Sequence, residues 1–247
     1  MEMTKPSQAE LKILLDDETL AQSAAAWLTD LARSREGRLA IALAGGSTPK
    51  RTYELLAEPP FRDKFPWSRT HWFWGDERFV PHDDPRSNYL MAQKALLSRA
   101  PIPHVNIHPI PTVGLSPQAA AGAYEAELKS FYGAQELDPQ RPIFDAMILG
   151  LGDNGHTASL MPGASALEEP RGWVVAVEGV ASEARITLTY PALESSFETA
   201  FLIAGAGKRS ALKRLRADDA GIPAGRLRAE GALRIFADVE AAGTVLG

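Results

Sequence analysis

The chain has 247 residues, 45% hydrophobic and 23% charged, the balance of an ordinary globular protein. Its 26 Lys and Arg against 31 Asp and Glu give a formal net charge of −5, which disfavours a nucleic-acid partner, since that needs a basic face to displace counterions. Zero cysteines exclude a disulfide framework, thiolate catalysis, zinc–cysteine sites and iron–sulfur clusters.

The start, MEMTKPSQAELKIL, has no basic region leading into an apolar one, and no apolar run approaches about 18 residues. The expectation is a soluble, cytoplasmic protein with no membrane partner. Leu20, Ala24, Trp27, Leu28 and Leu31 fall at helical spacing, with Gly37 as a stop signal. Arg38–Ala44 (RLAIALA) reads as a buried strand. Gly45-Gly46-Ser47-Thr48-Pro49 then opens a helix, with Ser47 or Thr48 placed to cap it. Thr70–Trp74 is a second strand and runs into Gly75-Asp76-Glu77-Arg78. Ser87 and Ser116 are positioned to cap helices through NYLMAQKALL and QAAAGAYEAELKSFY. Ala146–Leu149 is a strand entering GLGDNGH, Trp173–Val177 and Ile186–Thr189 read as strands, and Thr199–Ala204 leads through GAGK into the basic helix RSALKRLR. Ala232–Ala237 is the last predicted strand. Strands alternating with helices imply one α/β domain over residues 1–247, with a mostly parallel sheet covered by helices on both faces.

In such sheets ligands bind beyond the carboxyl ends of the strands, and the turns GGST, GDER, GLGDNGH and GAGK occupy that position. Glycine lets backbone amides approach a ligand and a helix start adds positive partial charge, so these loops suit a small phosphorylated molecule. Each turn also has a plainer reading. Gly45–Thr48 fits a tight turn with a helix cap as well as a phosphate cradle. Lys208 fits an exposed helix-start lysine as well as a phosphate-binding cation; a Walker A loop fails because Leu202 stands at its first glycine. Gly150–Gly155 matches G-x-G-x-x-G, and Glu178 lies at about the distance of a ribose-binding acid, but only HTASLM precedes Pro162, too little for the crossover helix of a dinucleotide site. His156 follows that loop and is suited to take a proton from water near neutral pH. Asp76-Glu77-Arg78 fits a salt-bridged surface turn, or an acid and a guanidinium facing the sheet-end pocket. His104 and His108 are loop histidines between prolines, not metal ligands.

In this order, ALAGGSTPKRTYELL, WGDERFVPHDDPRSNYLMA, GLGDNGHTASLMPG, RITLTYPAL and the tail IPAGRLR…IFADVEAA resemble the 6-phosphogluconolactonases, from about residue 40 to 240. That family sits in a Rossmann-like group with the glucosamine-6-phosphate isomerases. In the isomerases the histidine loop carries acids where this chain has Asn154 and Met161, and Met161 cannot transfer protons. The chain also departs from the lactonase pattern: Asn154 stands where many members have aspartate, leaving Asn154 or Asp153 to orient His156, and Glu194 stands where asparagine is common. The resemblance implies hydrolysis of 6-phospho-D-glucono-1,5-lactone, with no metal, nucleotide cofactor or covalent intermediate, by a monomer or homodimer. Gly46, Ser47, Thr48 and Lys208 would hold the phosphate, with Arg185 as a further charge contact. His156 would activate water. Arg78, or loop amides near Gly152–Gly155, would stabilise the oxyanion. Asp76 would position Arg78 or contact substrate hydroxyls, and Gly152 and Asn154 complete the predicted site. A sugar-phosphate sensor on the same scaffold would need GGST and Lys208 but not His156.

Overall fold

The computed structural model describes residues 9–243, so the reading of residues 1–8 as free of a leader lies outside it. Its strands are β1 (Glu10–Leu14), β2 (Leu39–Leu43), β3 (Thr70–Trp74), β4 (Asp76–Arg78), β5 (Phe144–Leu149), β6 (Val174–Val177), β7 (Arg185–Leu188), β8 (Ser196–Ile203) and β9 (Ala232–Asp238). The helices are α1 (Asp17–Ser34), α2 (Ser47–Leu56), α3 (Phe61–Lys64), α4 (Asn88–Ala92), α5 (Pro117–Tyr132), α6 (Tyr190–Glu194), α7 (Arg209–Arg216), α8 (Pro223–Arg226) and α9 (Val239–Ala242). Six parallel strands form the main sheet in the order β1-β9-β8-β5-β2-β3. Every residue of β2 is buried, the reason its sequence is apolar without alternation: both faces of the sheet are covered. The fold is the Rossmann-like α/β arrangement expected. Among the described residues no helix is long and apolar enough to cross a membrane.

Each predicted strand is present, shifted by at most a few residues. Ser87 Oγ accepts from the Leu90 amide at 3.1 Å and Ser116 Oγ from the Ala119 amide at 3.2 Å, so both serine caps form. The cap at Ser47 or Thr48 does not. Gly46 occupies the cap position with φ 108°, and Ser47 and Thr48 enter the first turn of α2 with no side-chain capping bond. The short edge strand β1 was not expected.

Strand order places the site. From β2 the chain steps to β3 on one side, whereas β5 pairs with β2 on the other and is followed outward by β8 and β9. The reversal lies between β2 and β5, and the crevice beyond their carboxyl ends is where ligands bind in such sheets. One wall of that crevice is a second, antiparallel sheet, β4-β7-β6. The chain leaves the main sheet at Gly75, whose amide donates to Leu43 O at 2.9 Å and whose carbonyl accepts from the Leu188 amide at 2.9 Å. Asp76–Arg78 is therefore a strand of this wall and not a surface turn.

Two buried tyrosines fasten the strand ends that carry the site. Tyr53 Oη lies 2.9 Å from the Ala44 amide and 3.0 Å from its carbonyl, just past β2. Tyr124 Oη does the same for Trp74 at the end of β3, at 2.9 and 3.0 Å. Tyr53→Phe is expected to cost about 1–3 kcal/mol of stability, because a buried amide and carbonyl lose their partner. Denaturant unfolding checks this, and a midpoint within error of the unsubstituted protein would count against it.

Candidate active site

Four loops converge on a cavity of about 260 Å³ at the carboxyl ends of β2, β3, β5 and β8. Gly46, Ser47, Thr48, Asp76, Arg78, Gly152, His156, Arg185 and Lys208 all line it. Of the predicted site residues Asn154 alone does not; it contacts His156 instead.

The loop after β5 is folded around the imidazole. The Gly152 amide donates to His156 O at 2.8 Å and the Gly155 amide to Gly152 O at 2.9 Å, closing a tight turn. A Cβ on Gly152 would lie 2.0 Å from His156 Nδ1, so only glycine leaves room for the ring. The Gly152 and Gly155 amides are thus both engaged within the loop. The backbone N–H of His156 meets Asn154 Oδ1 at 3.2 Å, and His156 Nδ1 lies 2.6 Å from the same atom. A backbone N–H can only donate, so that atom is the carbonyl oxygen and Nδ1 carries the ring proton. Nε2 is left with its lone pair as the basic nitrogen. Asn154, not Asp153, orients the ring. Burial is the main cause holding the imidazole below its ordinary pKa of 6.5, helped by the positive charges of Lys208 and Arg185 and opposed by Asp76 and Asp153.

Three cationic side chains, Arg78, Arg185 and Lys208, also line the cavity. Arg78 on β4 and Arg185 on β7 are directly opposed in the register. Like charges across a strand pair are destabilising. Each Nε is buried without a hydrogen-bond partner among the described residues. Burial pulls the Arg185 guanidinium below its usual range. Arg78 Nη1 donates to Arg86 O at 2.5 Å and no hydrogen bond joins Arg78 to Asp76, so of the two expected tasks of Asp76 the geometry offers no direct contact for positioning Arg78. Such a pair is suited to receive an anion. The start of α2 behind Gly46 presents helix amides with positive partial charge, and Lys208 reaches in from the loop after β8.

Asp76 is buried and accepts from Ser159 Oγ at 2.6 Å, and Asn88 Nδ2 donates to its carbonyl at 2.9 Å. Sequence reasoning missed both partners. Asn88 also packs under the first glycine loop, where a Cβ on Gly45 would sit 2.0 Å from its Oδ1. The SNYLMA segment is read above for its helix and as part of the longer motif, not for a partner to Asp76. Glu77 points the other way and accepts from the Arg78, Asn88 and Tyr89 amides and Ser87 Oγ at 2.7, 2.7, 2.8 and 2.9 Å, holding the start of α4.

The dinucleotide reading loses its support here. The segment after Gly155 forms a short Thr157–Leu160 bridge and no crossover helix, and Glu178 is exposed and bonded to Gln118. His108 is hydrogen-bonded to His71 and Glu127, and among the described residues no cluster of His, Asp and Glu converges as a metal site.

Residues 15–235 match the family described as glucosamine-6-phosphate isomerases/6-phosphogluconolactonase. The chain belongs to this family. A 6-phosphogluconolactonase of Nostoc sp. is 41% identical over 235 residues, 92% of this chain and 95% of that one. The chloroplastic 6-phosphogluconolactonase 3 of Arabidopsis thaliana is 37% identical over 218 residues, 85% of this chain and 66% of that one. Among solved structures, the 6-phosphogluconolactonase of Thermotoga maritima superimposes with a TM-score of 0.79 at 31% identity, over 93% of this chain and 99% of that one. A monomeric glucosamine-6-phosphate deaminase superimposes with a TM-score of 0.80 at 22% identity, over 95% of this chain and 99% of that one, a likeness of fold alone.

Against the aspartate that many 6-phosphogluconolactonases carry, Asn154 gives His156 a neutral partner. A base must be unprotonated to act, so the acid limb of a pH–rate profile is expected below 6.5, with a plateau at neutral pH. Asn154→Asp puts a negative charge on Nδ1–H, favours the imidazolium and is expected to move that limb to higher pH. Coincident limbs for the two proteins would remove Asn154 from control of His156.

Proposed function

We propose that this chain hydrolyses 6-phospho-D-glucono-1,5-lactone to 6-phospho-D-gluconate in the oxidative branch of the pentose phosphate pathway. In this reading it acts in the cytoplasm, as a monomer or homodimer, on a small-molecule substrate alone. The observation that carries the reading is the imidazole of His156, hydrogen-bonded through Nδ1 to Asn154, in a cavity that Lys208, Arg78, Arg185, Asp76 and the start of α2 also line.

Gly46, Ser47, Thr48 and Lys208 bind the phosphate, with Arg185 adding charge, and this fixes the lactone ring. His156 Nε2 takes a proton from water as its oxygen attacks the C1 carbonyl. Arg78 stabilises the oxyanion that forms. Collapse of the tetrahedral intermediate breaks the bond from C1 to the ring oxygen, and the imidazolium returns its proton to that oxygen. Asp76, held by Ser159 and Asn88, contacts substrate hydroxyls. No step in this scheme calls for a metal, a nucleotide or a covalent intermediate.

Met161, buried where the isomerases carry an acid, favours the lactonase over the isomerase. The test is acid release from freshly generated lactone in weak buffer containing EDTA. Acceleration over the spontaneous rate is expected and persists with the chelator. Binding of the phosphorylated sugar without acceleration would select a sensor, and loss of activity in EDTA would overturn the metal-free scheme.

A further inference from the structure

Asp153 and Lys208 come from different loops, after β5 and after β8, and meet at 2.5 Å between Oδ1 and Nζ. Each is the other's only side-chain hydrogen-bond partner among the described residues. Lys208 lines the cavity and its side chain is 31% exposed; Asp153 does not line it and is 73% exposed, so the carboxylate reaches the ammonium from the rim. The scheme above uses Lys208 for the phosphate and has no task for Asp153.

We infer that Asp153 is an internal competitor for the phosphate position, an anion that occupies Lys208 in the empty site and yields it to the substrate. This rests on the phosphate assignment under Proposed function. The exchange is favourable on elementary grounds. A solvent-exposed ion pair is weak, because water screens it and holding two mobile side chains together costs entropy. A phosphate monoester brings nearly two negative charges and three acceptor oxygens to the same ammonium, together with the helix start behind Gly46 that a rim carboxylate does not reach. The consequence is selectivity among anions. A dianionic phosphate displaces Asp153, whereas a neutral lactone leaves the pair closed and a monoanion gains little by opening it. The contact also ties the loop of His156 to the phosphate loop while the site is empty.

The test is a double-mutant cycle with inorganic phosphate as the probe, its affinity read by calorimetry at fixed ionic strength and pH. Asp153→Asn keeps the side-chain volume at an exposed position, and a thermal melt confirms the fold. It is expected to tighten phosphate binding about two- to fivefold, the range for releasing one exposed pair. In a Lys208→Met background the same substitution is expected to do nothing, because the lysine it frees is gone. Equal tightening in both backgrounds would reduce Asp153 to a general negative field and overturn the proposal. Weaker phosphate binding in Asp153→Asn would overturn it differently, showing that the carboxylate steadies Lys208 for the ligand. If Lys208→Met alone leaves phosphate affinity unchanged, the phosphate assignment itself fails and the proposal falls with it.

Discussion

His156→Ala is expected to lower kcat for lactone hydrolysis by about 10²–10⁴-fold while KM changes little. The imidazole contributes through proton transfer, an interaction made only in the transition state. Binding rests on other groups, namely Lys208, the start of α2 and the two arginines, none of which is hydrogen-bonded to the His156 side chain. Steady-state kinetics on fresh lactone, corrected for spontaneous hydrolysis, separate the two parameters. Calorimetry with 6-phosphogluconate shows whether the emptied site still binds. An unchanged kcat would remove His156 from the mechanism, and a collapse of binding alone would reassign it to recognition.

Gly152→Ala is expected to be almost as damaging to turnover, although it removes no functional group. The new Cβ would lie 2.0 Å from His156 Nδ1 and 2.2 Å from Cε1, where no real contact is tolerated. The backbone at Gly152 has no left-handed conformation, so the loop accepts alanine and the ring has to move. His156 is only partly buried, so the ring is the part that gives way. A displacement of about 1 Å in a catalytic group is worth roughly 10²-fold. Gly155→Ala makes the contrast. There φ is +83° and a Cβ would lie 2.5 Å from Ile222 Cβ, so strain and overpacking are expected to cost about 1–3 kcal/mol of stability. Gly152→Ala should therefore lose kcat at nearly unchanged Tm, whereas Gly155→Ala should lose Tm. A Gly152→Ala enzyme within twofold of full activity would show that the imidazole position does not limit the rate.

Much of this scaffold was legible because the signals were local. The apolar run at Arg38–Ala44 is long enough for one buried strand, and Ser87 and Ser116 each precede a helix by one residue. The missing crossover helix after Gly155 could be counted from residues. Other features depend on partners far away in sequence. Asp76-Glu77-Arg78 reads as a surface turn or as an acid and a guanidinium facing the pocket, and its strand character appears only when Thr187, Ile186 and Arg185 pair with it. Ser47 and Thr48 are good cap residues by type, but Gly46 takes the cap with a φ they adopt poorly. The choice between Asp153 and Asn154 was settled by the turn geometry that aims one at His156 and the other at Lys208. Asn88 and Ser159 were invisible because a buried polar side chain acquires meaning only with its partner.

The opposition of Arg78 and Arg185 also bears on how the molecule reaches its native state. The pairing of β4 with β7 closes a loop of more than a hundred residues. Such a contact pays a large closure entropy and forms readily only after the chain between has been organised. Bringing two guanidinium groups together adds an electrostatic penalty to that step. Like charge is what sets this step apart, since β1 pairs with β9 across a longer span, and the wall of the crevice is expected to assemble late. On dilution from denaturant, helical circular dichroism should return first and hydrolytic activity with the slowest phase, so that no partly folded chain carries a working site.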